Sequence, residues 1–215
     1  MRGNTNLGDM NQVSDGLMGV SVVLPILNEE RDLRESVSAI LAQNFSAPFE
    51  VILALGPSTD RTTQIAKEIA AGDSRVVLVD NPTGRTANGL NAAIASAKYS
   101  IISRIDGHAE ISPTYLRDAT ELLNKTGAVN VGGIMAAVGK SKFEKAVATA
   151  MRSPLGVGSS RFHTGGSAGP ADTVYLGTFK KSALLEAGGY DERFTRAQDW
   201  ELNFRLRKNG GVIWF

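Results

Sequence analysis

The sequence predicts an α/β domain built on a mostly parallel central sheet with helices on both faces. Three observations carry that prediction. Short apolar runs rich in β-branched residues recur through the first half, helical stripes separate them, and each run ends in a polar or glycine-containing turn. Repeats of this kind feed neighbouring parallel strands through right-handed crossovers.

Residues 20–27 (VSVVLPIL) read as a buried first strand. Leu33, Val37, Ile40 and Leu41 then fall on one face of a helix. Residues 49–55 (FEVILAL) form the second strand, followed by Gly56-Pro57 and by Ser58 as N-cap of a helix burying Ile65 and Ile69. The third strand covers 75–80 (RVVLVD), with an alanine-rich helix over 86–97 behind it. The fourth covers 100–106. Ser112-Pro113 then opens a helix as N-cap and first residue, with Leu116, Ala119, Leu122 and Leu123 inward.

The second half is less regular. One strand is expected within 128–138 and a helix over 142–152. The Gly- and Ser-rich stretch 154–171 (PLGVGSSRFHTGGSAGPA) reads as a loop able to act as a lid. A strand over 173–176 and a helix over 181–187 follow, the latter stopped by Gly188-Gly189. A last helix holds Trp200, Leu202, Phe204 and Leu206. Val212-Ile213-Trp214-Phe215 reads as a strand, so a longer native chain is expected to continue past it. Residues 1–18 lack the apolar core of a signal peptide and read as a flexible leader, leaving 19–215 as one domain.

Composition removes several function classes. With 23 basic and 22 acidic side chains the formal charge is +1, which is not the footprint of a nucleic-acid binder. Cysteine is absent, so disulfides and thiolate metal sites are excluded. No apolar run approaches the ~18 residues of a membrane-spanning helix. A cytoplasmic domain is expected, with contact at the inner face of the cell membrane left open; nothing in the sequence speaks to oligomeric state.

Ligands of such sheets sit beyond the carboxyl ends of the strands, which directs attention to residues 25–29, 56–60, 81–85 and 106–108. The first turn, Pro25-Ile26-Leu27-Asn28-Glu29, has no G-x-G-x-x-G, and no P-loop string occurs. A dinucleotide fold, a P-loop enzyme and a sugar nucleotidyltransferase are therefore disfavoured. The fourth turn carries Asp106 and His108 around Gly107. In an extended segment residues i and i+2 point the same way, so both can converge on one object. Carboxylate and imidazole together form a partial divalent-metal site, completed by water or substrate phosphate.

Five strings occur in order: VSVVLPILNEE, GPSTDRT, NPTGRTANGLNAAI, IDGHAEISPTYL and AQDWELNFRLRKNGG. Together they resemble the motif set of family-2 glycosyltransferases of the GT-A fold, from about residue 19 to the end. The stretch VGGIMAAVGKSKFEKAVA…SPLGVG, with ADTVYLGTFKK, is most similar to the succinoglycan-type exopolysaccharide subgroup, in which D-A-H commonly stands for D-x-D. The resemblance implies an inverting transfer from a nucleotide-diphosphate sugar to a saccharide or lipid-linked acceptor in polysaccharide or cell-envelope glycan synthesis. It assigns the metal to Asp106 and His108, with Mn2+ favoured over Mg2+ because imidazole is the softer ligand. Pro25, Asn28, Glu29, Arg85 and Asp106 fall on the nucleotide-sugar side. Asp199 takes the general-base position, with Gln198 in place of the motif's first acid. Gly177, Thr178 and Trp200 fall on the acceptor side.

One departure leaves the nucleotide base open: many relatives carry an acid after the second strand, where this sequence has Leu55-Gly56-Pro57. Asp60, nearby, is expected at a helix start. Two alternatives remain beside the main reading. A polyprenyl-phosphate acceptor, already ionised, would not need Asp199; and the domain could bind a nucleotide without catalysing transfer.

Overall fold

Val22, Leu24 and Ile26 pack on one side of the sheet and Val23 on the other, as the two-residue period of a strand requires. A computed structural model describes residues 17–135, 141–151 and 165–215. Its elements in chain order are β1 (Leu17–Ile26), α1 (Leu33–Leu41), β2 (Phe49–Leu55), α2 (Thr62–Gly72), β3 (Val76–Asp80), α3 (Thr86–Ser96) and β4 (Tyr99–Arg104). There follow α4 (Tyr115–Thr126), β5 (Asn130–Val131), α5 (Lys142–Met151), β6 (Thr178–Lys180), α6 (Lys181–Glu186), α7 (Gln198–Lys208) and β7 (Ile213–Trp214).

The strands form one sheet of order β3-β2-β1-β4-β6-β5-β7. The first four run parallel, with Val22 opposite both Val51 and Ser103. β6 enters antiparallel beside β4, pairing Phe179 with Ile102. On one face α1, α2 and α4 bury Leu33, Val37, Ile40, Ile65 and Leu116 against β1 and β2. On the other, Leu90, Ala93 and Ile94 of α3, Leu184 of α6, and Leu202 and Leu206 of α7 pack on Val23, Ile52, Ile102 and Phe179. The expected two-sided arrangement is therefore present. At the end of the sheet remote from the strand carboxyl ends, the buried carboxylate of Glu50 accepts hydrogen bonds from Ser21 Oγ and the Lys98 N–H, both at 2.8 Å. No helix among the described residues is long and apolar enough to cross a membrane.

Several expected boundaries move. β1 begins at Leu17, which pairs with Tyr99, so the last two residues of the expected leader belong to the sheet. Residues 1–16, and 154–164 of the expected lid, lie outside the described residues. Ser58 does not cap α2; the carboxylate of Asp60 accepts the Thr62 N–H at 3.0 Å, as a helix-start residue does. α4 starts at Tyr115 because Ser112 and Pro113 form a preceding turn, closed by Tyr115 N–H to Ser112 O at 3.1 Å. The strand expected over 173–176 lies instead at Thr178–Lys180. Leu176 and Gly177 adopt φ of +57° and +98°, which ends any extended run at that point.

Gly177 is required there. A Cβ would lie 2.5 Å from Asn130 Oδ1 and 2.7 Å from the Phe179 ring. Gly177→Ala is expected to destabilise the fold by about 1–3 kcal/mol through overpacking, measured as a lower urea midpoint with an unchanged m-value. An unshifted midpoint would contradict this placement.

Candidate active site

The centre of the site is a residue that sequence patterns did not single out. Arg104 closes β4, and its side chain is only 8% exposed. Its Nη1 donates to Asp199 Oδ1 and its Nη2 to Asp106 Oδ1, the latter at 3.3 Å, while the guanidinium lies 5.8 Å from the Tyr190 ring centroid. A buried cation is tolerated only when it is paired, and two carboxylates meet that need here. Burial works against the Arg104 cation, but Tyr190, Asp199 and Asp106 together hold its pKa above the ordinary arginine value. A signal for this was available: an arginine inside the apolar run Ile101-Ile102-Ser103-Arg104-Ile105 needs buried partners.

Neighbouring elements fix these partners. Tyr190 is held by Asn91 of α3, which accepts its N–H at 2.8 Å and donates to its carbonyl at 2.9 Å. Arg205 of α7 donates to the carbonyls of Ala187 and Gly189, securing the turn that leads into Tyr190. Asn203 accepts a hydrogen bond from Asn130 Nδ2 at 2.7 Å and donates to Thr173 Oγ1 at 2.9 Å, seating α7 against β5. The N-cap of α7 is Ala197, at φ +57°. Asp199 therefore stands inside the first turn and spends its carboxylate on Arg104. Burial pushes its pKa up to about 6, with the Asp106 charge adding to the rise and Arg104 opposing it. Tyr175 donates to Asp106 Oδ2 at 3.3 Å; burial, then the Asp106 charge, raises its pKa, so the phenol keeps its proton.

Asp106 and His108 do not lie in an extended segment as expected. Residues 106–109 form a turn closed by Ala109 N–H to Asp106 O at 3.0 Å, because β4 has already ended at Arg104. Both side chains nonetheless reach one cleft of about 280 Å3, lined also by Pro25, Glu29, Gly84 and Arg104. His108 Nδ1 lies 3.0 Å from Glu29 Oε1, and that hydrogen bond raises the imidazole pKa.

The other predicted residues separate. Asn28, at φ +56°, turns its side chain away to accept the Thr59 N–H at 2.8 Å, making it a loop clip. Arg85 is exposed at the N-cap of α3; its neighbours Gly84 and Thr86 line the cleft, and it does not. Gly177 is buried and its carbonyl accepts the Arg104 N–H at 3.0 Å. Thr178 is 1% exposed and shares a 3.0 Å hydrogen bond with Ser103 across the β4–β6 pair. Those two residues hold the sheet together in place of the acceptor contact expected of them. Trp200 is 55% exposed and stacks on Phe204, with ring centroids 6.1 Å apart.

A family model described as glycosyl transferase family 2 matches residues 21–186. The chain belongs to glycosyl transferase family 2. It is 35% identical over 205 residues to the succinoglycan biosynthesis protein ExoA of Rhizobium meliloti strain 1021, covering 94% of this chain and 62% of that protein. It is 25% identical to the poly-beta-1,6-N-acetyl-D-glucosamine synthase of Staphylococcus aureus strain COL, over 89% of this chain and 47% of that one. The chain thus spans about half to three-fifths of these relatives.

The fold is GT-A. S. aureus TarS 1–349 in complex with UDP superposes with a TM-score of 0.71 at 20% identity, over 92% of this chain and 57% of that one. The mannosyltransferase PcManGT from Pyrobaculum calidifontis, in complex with GDP-Man and Mn2+, superposes at 0.67 with 21% identity, over 90% and 53%.

The family implies a divalent ion, and the donor set here fits one. No group of three His, Cys, Asp or Glu among the described residues could enclose an ion. An open site of two protein donors, Asp106 and His108, does fit one that takes its remaining ligands from substrate phosphate.

Proposed function

We propose that this chain forms the catalytic part of an inverting glycosyltransferase that moves a sugar from a nucleoside-diphosphate sugar to a saccharide or lipid-linked acceptor. Membership in the family and similarity to ExoA support a role in exopolysaccharide or cell-envelope glycan synthesis. The work would take place in the cytoplasm, at the inner face of the membrane when the acceptor is lipid-linked. One observation carries the reading. The buried Arg104 ties Asp199 of α7 to Asp106 just past the end of β4, so the carboxylate assigned here as proton acceptor shares one guanidinium with a carboxylate that lines the cleft.

The chemistry follows from the residues. Asp106 and His108 would hold the ion, which when bound supplies Lewis-acid stabilisation of the diphosphate charge. Asp199, ionised above about pH 6, accepts the proton of the attacking acceptor hydroxyl. Inversion needs one such carboxylate, because the diphosphate leaves without a proton. Arg104, which lines the cleft, holds Asp199 beside it and offsets its charge. Pro25 and Gly84 form part of the cleft wall on the nucleotide side. The exposed Trp200–Phe204 stack offers an apolar ledge for a pyranose face.

The test is calorimetric binding of UDP-, GDP- and dTDP-sugars with and without Mn2+, followed by slow hydrolysis of whichever sugar nucleotide binds. TarS and PcManGT, solved with UDP and GDP-Man, make the first two the leading candidates. Binding that requires the ion, tighter with Mn2+ than with Mg2+, is expected, and His108→Asp should narrow the difference between the ions. Metal-independent binding, or binding without any turnover, would reduce the chain to a nucleotide-binding domain.

A further inference from the structure

Glu29 and Gly107 stand in different motifs, 78 positions apart in the chain, yet the structure presses them together. A Cβ on Gly107 would lie 3.1 Å from Glu29 Cγ and 3.4 Å from its Cδ. The glycine between Asp106 and His108 thus leaves a channel through which the Glu29 side chain crosses to the imidazole. Its backbone is anchored first. The Glu29 N–H donates to Thr62 Oγ1 at 2.7 Å, and its carbonyl accepts the Asp32 and Leu33 N–H groups at 3.2 and 2.9 Å. The side chain is 19% exposed and ends 3.0 Å from His108 Nδ1.

A carboxylate can only accept a hydrogen bond, so in this pair the proton lies on Nδ1. Nε2 is then the ring atom with a free lone pair. A ligating histidine commonly gives its other N–H to a carboxylate, which sets both tautomer and ring orientation. We infer that Glu29 is the positioning residue for the metal site: it selects the Nδ1–H tautomer of His108 and leaves Nε2 as the donor. Glu29 then acts on the donor diphosphate through His108 and the ion, and not as a nucleotide contact. The inference rests on the reading of Asp106 and His108 as metal ligands.

The experiment uses the full chain labelled with 15N-histidine, which carries only His108 and His163; His108→Asn identifies the signal. At a pH well above the histidine range, long-range 1H–15N correlation reads the tautomer directly. The expected result is Nδ1–H for His108 in the native protein and in Glu29→Gln, whose amide oxygen still accepts, and a shift towards Nε2–H in Glu29→Ala. Mn2+ alone is then titrated, following paramagnetic broadening of the His108 ring. Glu29→Ala should need about 10–100-fold more Mn2+, the usual effect of losing such a partner, and Glu29→Gln should recover most of the affinity. A role limited to the turn before α1 would lower the unfolding midpoint without changing the tautomer. An Nε2–H signal in the native protein, or equal Mn2+ demand in Glu29→Ala, overturns the inference alone. Absence of Mn2+ broadening at His108 overturns the metal reading and the inference together.

Discussion

Asp199→Asn is expected to lower kcat by about 10²–10⁴-fold, the span that removal of a general base produces, while donor binding stays close to that of the native protein. The difference is expected because Asp199 is carried by α7, whereas Asp106 and His108 line the cleft proposed for the donor. The pH profile adds an independent check. Burial holds the Asp199 carboxyl at about 6, well above the ordinary aspartate value, and only the ionised form can accept a proton. Activity should therefore be constant above that point and fall as pH drops through about 6, and the residual activity of the Asn variant should lack that limb. Equal loss of donor affinity and turnover would mean that Asp199 organises the site without serving as base. Asp199 is not the helix cap: Ala197 occupies the N-cap position, and the Asp199 carboxylate is bonded to Arg104.

Arg104→Met is expected to cost about 3–5 kcal/mol of stability, the penalty for leaving buried charges uncompensated, read as a reduced urea midpoint. It should also move the acid limb of the pH profile upward. Losing an adjacent guanidinium raises a carboxylate by about 1–3 pKa units, and Asp106 remains nearby to add repulsion. If the Met variant does not fold, Arg104→Lys separates charge from geometry. A point ammonium keeps the charge but cannot reach two carboxylates as a planar fork does, so its limb should fall between the native and Met positions. A limb that does not move in either variant would show that Arg104 has no influence on the base.

Much of the first half of the chain was legible because apolar period and strand burial coincide there. Val20–Ile26, Phe49–Leu55 and the Leu33–Val37–Ile40 stripe are core features whose spacing alone selects strand or helix. The errors cluster where tertiary contacts decide. Val174 and Leu176 are buried and alternate like a strand, but the left-handed backbone at 176–177 moves the pairing to Thr178–Lys180. Asp106 and His108 share a cleft through a turn, not through strand alternation, because pairing of β4 stops at Arg104. Thr178 was expected at an acceptor, but register with Ser103 turns its hydroxyl into the sheet. Arg104 is marked in the sequence only as a cation inside an apolar run, and that run does not name its partners, which stand 2 and 95 positions away.

The antiparallel entry of β6 beside β4 has a mechanical meaning. The carboxyl end of β4, where Arg104 stands, and the segment feeding β6 are joined by ladder hydrogen bonds in one continuous sheet. The turn carrying Asp106 is therefore anchored to that sheet, and the Arg104 fork ties Asp199 of α7 to the same frame. Such a frame places its charges in advance and needs no reorganisation at the moment of transfer. What can vary without disturbing it are the connections around the rim, so exchange of those segments could change the acceptor while the reaction stays the same.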